Sequence, residues 1–261
     1  MSAVLRVENL SYKDILNNVS FEVEKNSFNV LVGPNSCGKT TLIKCLSGIL
    51  EGNGNIFLNN FIISNKKIDI SVKSDLGFVI DIPFVLGGTV LDNLIYSLMN
   101  IGYDEIESKK KIYSISDKLD LGFLLVKKVN ELNYSEKKLS YFLRGIIHEP
   151  TVIIIDDIFD SVNSFYKEKI FRYLKKLKNR TIIFMTSNEK NILYADNVII
   201  MKKGKIVEQA PLNDVINDER KLVKNGLRLP MVADLSHKLK AYGLINEITL
   251  EIDKMVDEIW E

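Results

Sequence analysis

The chain has 261 residues, 46% hydrophobic and 26% charged, enough for one large domain with a substantial buried core. Its 35 Lys and Arg stand against 34 Asp and Glu, a formal charge of +1, which argues against a general attraction to nucleic acid or anionic membrane. No uncharged apolar run approaches the roughly 18 residues a membrane span needs, and the opening MSAVLRVENL lacks the apolar core of a signal peptide.

In chain order, VLRVENLSY (from Val4) and VSFEVEKNSFNVLVG (from Val19) alternate with the period of half-buried strands. GNGNIFLNNFIIS (from Gly52) predicts a hairpin, with Asn59 and Asn60 able to adopt left-handed turn angles. SDLGFVIDIP (from Ser74) is a further strand candidate. From about Thr89 to Gly145 the pattern turns helical, with apolar faces in TVLDNLIYSLM and DEIESKKKIYSISDKLDL. TVIIID (from Thr151) and RTIIFMTS (from Arg180) are continuous apolar runs, as in parallel strands buried on both faces, and SFYKEKIFRYLKKLK between them is an amphipathic helix. NVIIMKKGKIVEQ (from Asn197) predicts a hairpin turning at Lys203 and Gly204. Beyond it, PLNDVINDERKLVKNG predicts one helix ended by Gly226, MVADLSHKLKAYG a second, and NEITLEIDKMVDEIWE an acidic tail.

Lysine pairs at Lys66, Lys109, Lys127, Lys137 and Lys202 read as solvated faces. The two cysteines, Cys37 and Cys45, lie too close along one loop and helix for a disulfide without distortion, which predicts a reducing, cytosolic compartment. His237 has no second ligand at metal-binding spacing and reads as a surface or interface residue.

The sharpest chemical signal is VLVGPNSCGKTTLIKCLSG. Gly33, Pro34, Asn35, Ser36, Cys37, Gly38, Lys39, Thr40 and Thr41 form a phosphate cradle between a strand and a helix. Glycines let backbone N–H groups converge on phosphates, the lysine reaches the β- and γ-oxygens, and the Thr40 hydroxyl is placed to bind Mg²⁺. The expected ligands are ATP and Mg²⁺, with Asp156, at the end of TVIIID, as the metal carboxylate.

The order of motifs over residues 3 to 210 resembles the ATP-binding subunit of an ABC transporter. The resemblance implies an α/β, P-loop NTPase (RecA-like) core with an antiparallel β subdomain and a helical subdomain at about 89–145. Residues 1–210 would form the ATP-binding domain and 211–261 a small helical extension for dimerisation. It implies that Tyr12 stacks on adenine, that GFVID is the Q-loop with Asp81 at the glutamine, and that DDIFDSVN and FMTSNE are the Walker B and switch segments. The C-terminal KNGLRLPMVADLSHKLKAYGL looks like the extension of energy-coupling factor (ECF) transporters, importers of vitamins and metal ions. The implied assembly is a peripheral subunit on the cytoplasmic face of the membrane, beside a transmembrane subunit and a second ATP-binding subunit, with no nucleic acid.

Departures from the family pattern sharpen the expectation. The L-S-G-G-Q signature, which caps a nucleotide on the opposite subunit, reads Leu132, Asn133, Tyr134, Ser135, Glu136. Glu136 brings negative charge toward an anion, unless Ser135 caps the following helix and leaves a workable anion site. The catalytic glutamate is Asp157, one methylene shorter, and displacement on that scale costs about 10²-fold in rate. The switch histidine is Ser187, and loss of one preorganised contact costs about 10²–10³. Asp81 in place of glutamine is positioned to hold a Mg²⁺-bound water. ATP binding is therefore expected, with slow hydrolysis, and two weakened sites in a homodimer argue for a heterodimer with a more conventional partner. The alternatives are a regulatory ATP-binding subunit without useful hydrolysis and a soluble ABC-type ATPase.

Overall fold

The computed structural model describes residues 3–63 and 74–260. The expected lysine pair at Lys66 and the last residue of the GNGNIFLNNFIIS segment, Ser64, lie outside the described residues.

The chain enters through β1 (Ala3–Tyr12) and β2 (Leu16–Glu24), an antiparallel pair, and passes through β3 (Phe28–Val32) to helix α1 (Lys39–Leu46). Strands β4 (Asn53–Leu58) and β5 (Phe61–Ile62) return to complete a four-stranded antiparallel sheet in the order β2-β1-β4-β5. The β4–β5 turn has Asn59 at φ 48° and Asn60 at φ 70°, the left-handed pair a tight hairpin demands.

β6 (Leu76–Val79) leads into the helices α2 (Val90–Met99), α3 (Glu105–Lys118), α4 (Gly122–Leu125) and α5 (Tyr134–Ile146). β7 (Val152–Ile155), helix α6 (Ser164–Lys176), β8 (Thr181–Thr186), β9 (Asn197–Lys202) and β10 (Lys205–Pro211) follow. The second sheet has the order β10-β9-β3-β8-β7-β6; all its strands are parallel except β10, which pairs antiparallel with β9.

Continuous apolar strands are needed because this sheet has a core on each face. Val30 and Val32 of β3, Ile153 and Ile155 of β7, and Phe184 of β8 point into one core with the helices. Leu31, Ile154, Ile183 and Met185 point into the other, with α1 and the antiparallel sheet. β3 is therefore buried along its whole length, not half-buried as its alternation predicts. The polar position that produces the alternation, Asn29, is buried too, and its side-chain amide donates to Ser27 Oγ at 2.8 Å.

The extension departs from expectation in three ways. The first predicted helix breaks at Asp218 into α7 (Leu212–Asn217) and α8 (Arg220–Val223), where the Asp218 carboxylate accepts from Arg220 Nε at 2.8 Å. After α9 (Met231–Ala241), the acidic tail forms α10 (Ile252–Trp260). His237, read as a surface or interface residue, is half-buried, its ring bonded to the Ile216 carbonyl at 2.6 Å within the extension. Val215, Leu222, Leu227 and Ala233 join the helical-side core, while Met231, Tyr242, Ile252 and Trp260 remain exposed. No helix among the described residues is long and apolar enough to cross a membrane.

Candidate nucleotide site

Strand order creates the site. β8 lies between β3 and β7, with Val32 opposite Thr186 and Ile155 opposite Phe184, so the loops leaving three neighbouring strands emerge at one edge. Crevices at the carboxyl ends of parallel strands are where α/β sheets hold ligands. Here a cavity of about 540 Å³ is lined by Asn35, Ser36, Gly38, Lys39, Thr40 and Thr41 from the first loop, Asp156, Asp157 and Asp160 from the second, and Ser187 from the third.

The cradle is held by close backbone approach. A Cβ on Gly33 would lie 2.2 Å from the Met201 carbonyl oxygen and 2.8 Å from Cys37 Sγ, so only glycine fits. Gly38 turns into α1 at φ 113°, a left-handed conformation that side chains disfavour. Lys39 is buried, its ammonium donating to the carbonyls of Gly33 at 2.8 Å and Pro34 at 3.0 Å. Both cysteines are free and buried, and burial pushes the Cys45 thiol up to about 11. Gly33, Pro34 and Cys37 shape the loop without lining the cavity.

Burial pushes the Asp156 carboxyl above its ordinary range, opposed by hydrogen bonds from the Asp157 amide and the Thr40 hydroxyl. Thr40 and Asp156 thus offer two hard oxygen ligands side by side, and a buried carboxylate there is stabilised by a cation. The pair fits Mg²⁺, which takes one or two protein ligands and completes its shell with phosphate and water. Among the described residues no group of three or more His, Cys, Asp or Glu could hold a metal unaided.

Asp157 is drawn toward the end of β8. Its Oδ2 accepts from Thr186 Oγ1 at 2.8 Å, from Ser187 N at 2.9 Å and from Ser187 Oγ at 3.3 Å. Its Oδ1 is buried and has no hydrogen-bond partner among the described residues. Ser187 lines the cavity, yet its hydroxyl is engaged with Asp157.

Asp81, Tyr12 and the five signature positions all lie outside the cavity lining. Asp81 does not line the cavity; its Oδ2 pairs with Lys138 Nζ at 2.5 Å on α5. Lys138 belongs to a lysine pair read as solvated, but its side chain is only 4% exposed whereas that of Asp81 is 57% exposed. It lies under the Tyr134 ring, 4.5 Å from the centroid. Burial works against its charge, but Asp81 and the Tyr134 hydroxyl outweigh it and hold its pKa above the ordinary lysine value. Arg144 ties the same loop to α5 by donating to the Ile82 carbonyl at 2.8 Å and packing over Phe84. Tyr12, expected against the base, also does not line the cavity; the β1–β2 turn contributes Ile15 instead. Ile15 and Asp160 are the lining residues that sequence reasoning did not single out; Asp160 lies within DDIFDSVN, and Ile15 belongs to no motif.

At the signature positions the helix cap falls on a different residue from the one expected. Asn133, not Ser135, caps α5: its side chain accepts from Glu136 N at 2.9 Å, and Glu136 Oε2 accepts from Asn133 N at 3.1 Å. Lys127 sits 2.6 Å from the Glu136 carboxylate and, as the main cause, lowers its pKa. Leu132 is buried in the core, Ser135 is half-buried, and Tyr134 stands 62% exposed at the helix start. None of the five lines this chain's own cavity; the resemblance sets them against a nucleotide on an opposite subunit.

Comparison with known proteins adds three findings. Residues 16–160 match the ABC transporter family model. The energy-coupling factor transporter ATP-binding protein EcfA1 of Mycoplasmoides gallisepticum is 26% identical over 99% of this chain and 96% of its own length. EcfA2 of Clostridium perfringens is 28% identical over 98% of this chain and 97% of its own. Among solved structures, a nucleotide-free ATP-binding cassette from an ABC transporter superposes with a TM-score of 0.71 at 26% identity, covering 87% of this chain and 99% of the cassette. The cbiO1 protein of Clostridium perfringens, described as part of the ABC transporter complex cbiONQ, shares the fold with a TM-score of 0.71 at 24% identity, covering 91% of this chain and all of its own.

Proposed function

The chain belongs to the ABC transporter family, and from that premise we propose that it is the Mg-ATP-binding subunit of an ECF-type importer of a small solute, such as a vitamin or metal ion. The observation that carries the reading is the convergence of Lys39, Thr40, Asp156 and Asp157 on one cavity at the carboxyl edge of the parallel sheet. Full-length similarity to EcfA1 and EcfA2 supports the ECF assignment. It supports a transmembrane partner and a position at the cytoplasmic face of the membrane, as does the ABC transporter complex that cbiO1 belongs to.

In this reading Lys39 neutralises the β- and γ-phosphates and the loop amides of residues 35–41 orient them. Thr40 and Asp156 would hold Mg²⁺, which would supply charge neutralisation for the phosphates. Water forms a bond to the γ-phosphorus as the bond from that phosphorus to the bridging oxygen breaks. ADP leaves with the electron pair, and the water's proton passes to Asp157. An aspartate and a serine at the positions of glutamate and histidine support slow turnover. The self-capped α5, whose own carboxylate occupies the helix start, supports a second, more conventional ATP-binding subunit as the partner. Exposed Met231, Tyr242, Ile252 and Trp260 support the extension as its contact.

The test is ATP turnover by the purified chain, alone and with the nucleotide-binding subunit that co-purifies, for wild type and Asp157→Asn. The expected result is nucleotide binding by both proteins and a turnover loss of at least about tenfold in the variant's own site. Unchanged turnover would instead favour a regulatory ATP-binding subunit driven by hydrolysis in the partner.

A further inference from the structure

Thr186 is the last residue of β8 and is fully buried. Its hydroxyl has a single proton and three polar neighbours. Two of them, the Asn188 amide at 3.0 Å and the Asn191 side-chain amide at 2.9 Å, are donors and occupy its lone pairs. The proton is left to one acceptor, Asp157 Oδ2, at 2.8 Å. Asn191 is itself buried in the 3-10 turn Glu189–Tyr194 that follows β8, so the outer end of this chain of bonds is fixed.

Asp157 Oδ2 also accepts from the Ser187 amide, and with its further contact to the Ser187 hydroxyl it is saturated. The carboxylate is an acceptor with two oxygens; one is held by Thr186 and Ser187, and the other, Oδ1, is buried with no hydrogen-bond partner among the described residues, so the contacts through Oδ2 set the position of the group. We infer that Thr186, backed by Asn191, is a positioning residue for hydrolysis: it clamps Asp157 through Oδ2 and so fixes where the carboxylate stands at the cavity wall. Ser187 then serves this site through its backbone N–H to Asp157 rather than as a side-chain contact to the γ-phosphate. The inference rests on the reading of Asp157 as the hydrolytic base.

The experiment measures kcat and KM for ATP, and nucleotide affinity by titration, in the complex with the co-purifying subunit. Thr186→Val keeps the volume and removes the hydroxyl. It is expected to lower this site's kcat by about 10- to 100-fold, the cost of a misplaced catalytic group, with KM and nucleotide affinity within about twofold. Thr186→Ser, which restores the oxygen, should recover most of the lost kcat. The pair Thr186→Ala and Thr186→Ser differs by that oxygen alone and gives the same reading if the valine variant packs poorly. Wild-type kcat in Thr186→Val or Thr186→Ala, beside an inactive Asp157→Asn, overturns the role of Thr186. Wild-type kcat in Asp157→Asn overturns the hydrolytic reading beneath it.

Discussion

The ion pair between Asp81 and Lys138 joins two very different environments, and that asymmetry predicts an unequal response to mutation. Lys138 is 4% exposed and Asp81 57% exposed in their side chains. Asp81→Asn leaves a buried ammonium with only the Tyr134 ring and hydroxyl to balance it. Breaking a fully buried pair from one side costs about 3–5 kcal/mol. Because water already screens Asp81, the expected cost is nearer 1–2 kcal/mol. Lys138→Met removes the buried charge and fills its space with apolar atoms, while the orphaned Asp81 turns to water, so its cost is about 0–1 kcal/mol. Thermal and urea unfolding followed by far-ultraviolet circular dichroism read both variants and the double mutant. Asp81→Asn should lower Tm by about 2–8 °C for a chain of this size, and Lys138→Met should rescue part of that loss in the double mutant. A larger loss in Lys138→Met than in Asp81→Asn would refute the reasoning, because the lysine would then be a net stabilising charge rather than a guest of Asp81.

Gly33→Ala should abolish measurable nucleotide binding and destabilise the chain by about 1–3 kcal/mol, since its Cβ would meet the backbone oxygen of Met201 at 2.2 Å; fluorescent-nucleotide titration and thermal melting read the two effects. His148 is half-buried, bonded to the Leu76 carbonyl, and loss of hydration holds its pKa below the ordinary 6.5. The unfolded chain therefore binds more protons, so the stability linked to His148 is full above 6.5 and is lost as pH falls from there through the folded pKa. His148→Gln should flatten the decline in denaturation midpoint between about pH 7.5 and 5.5.

What the sequence shows clearly is what lies close together along the chain. The cradle from Gly33 to Thr41 is a single loop and helix start, so its spacing is its geometry. The uninterrupted runs at Val152–Ile155 and Thr181–Thr186 announce strands buried on both faces, and they are. The misses are contacts between distant segments. Lys138 reads as one of two surface lysines until α5 packs against the loop carrying Asp81. Ile15 enters the cavity only because the β1–β2 turn lies against the loop holding Gly38. Thr186 bonds Asp157 across neighbouring strands, a relation no spacing reveals. The tail was misread for another reason: Asp253, Asp257 and Glu258 dominate its composition and conceal the helical spacing of Ile252, Val256 and Ile259.

The position of β3 also governs when the site can exist during synthesis. The cradle leaves the ribosome early, but both sheet neighbours of its strand, β8 and β9, lie at Thr181–Lys202. Until then β3 has no partner on either edge, and its apolar residues are an exposed template for wrong pairings. Pairings of such long sequence separation close slowly, because the loop entropy is lost before the contacts form. A nascent chain stalled before β8 therefore carries every cradle residue and no nucleotide site. A nucleotide bound in this cavity would then act as a late folding ligand, pulling the finished sheet together by mass action.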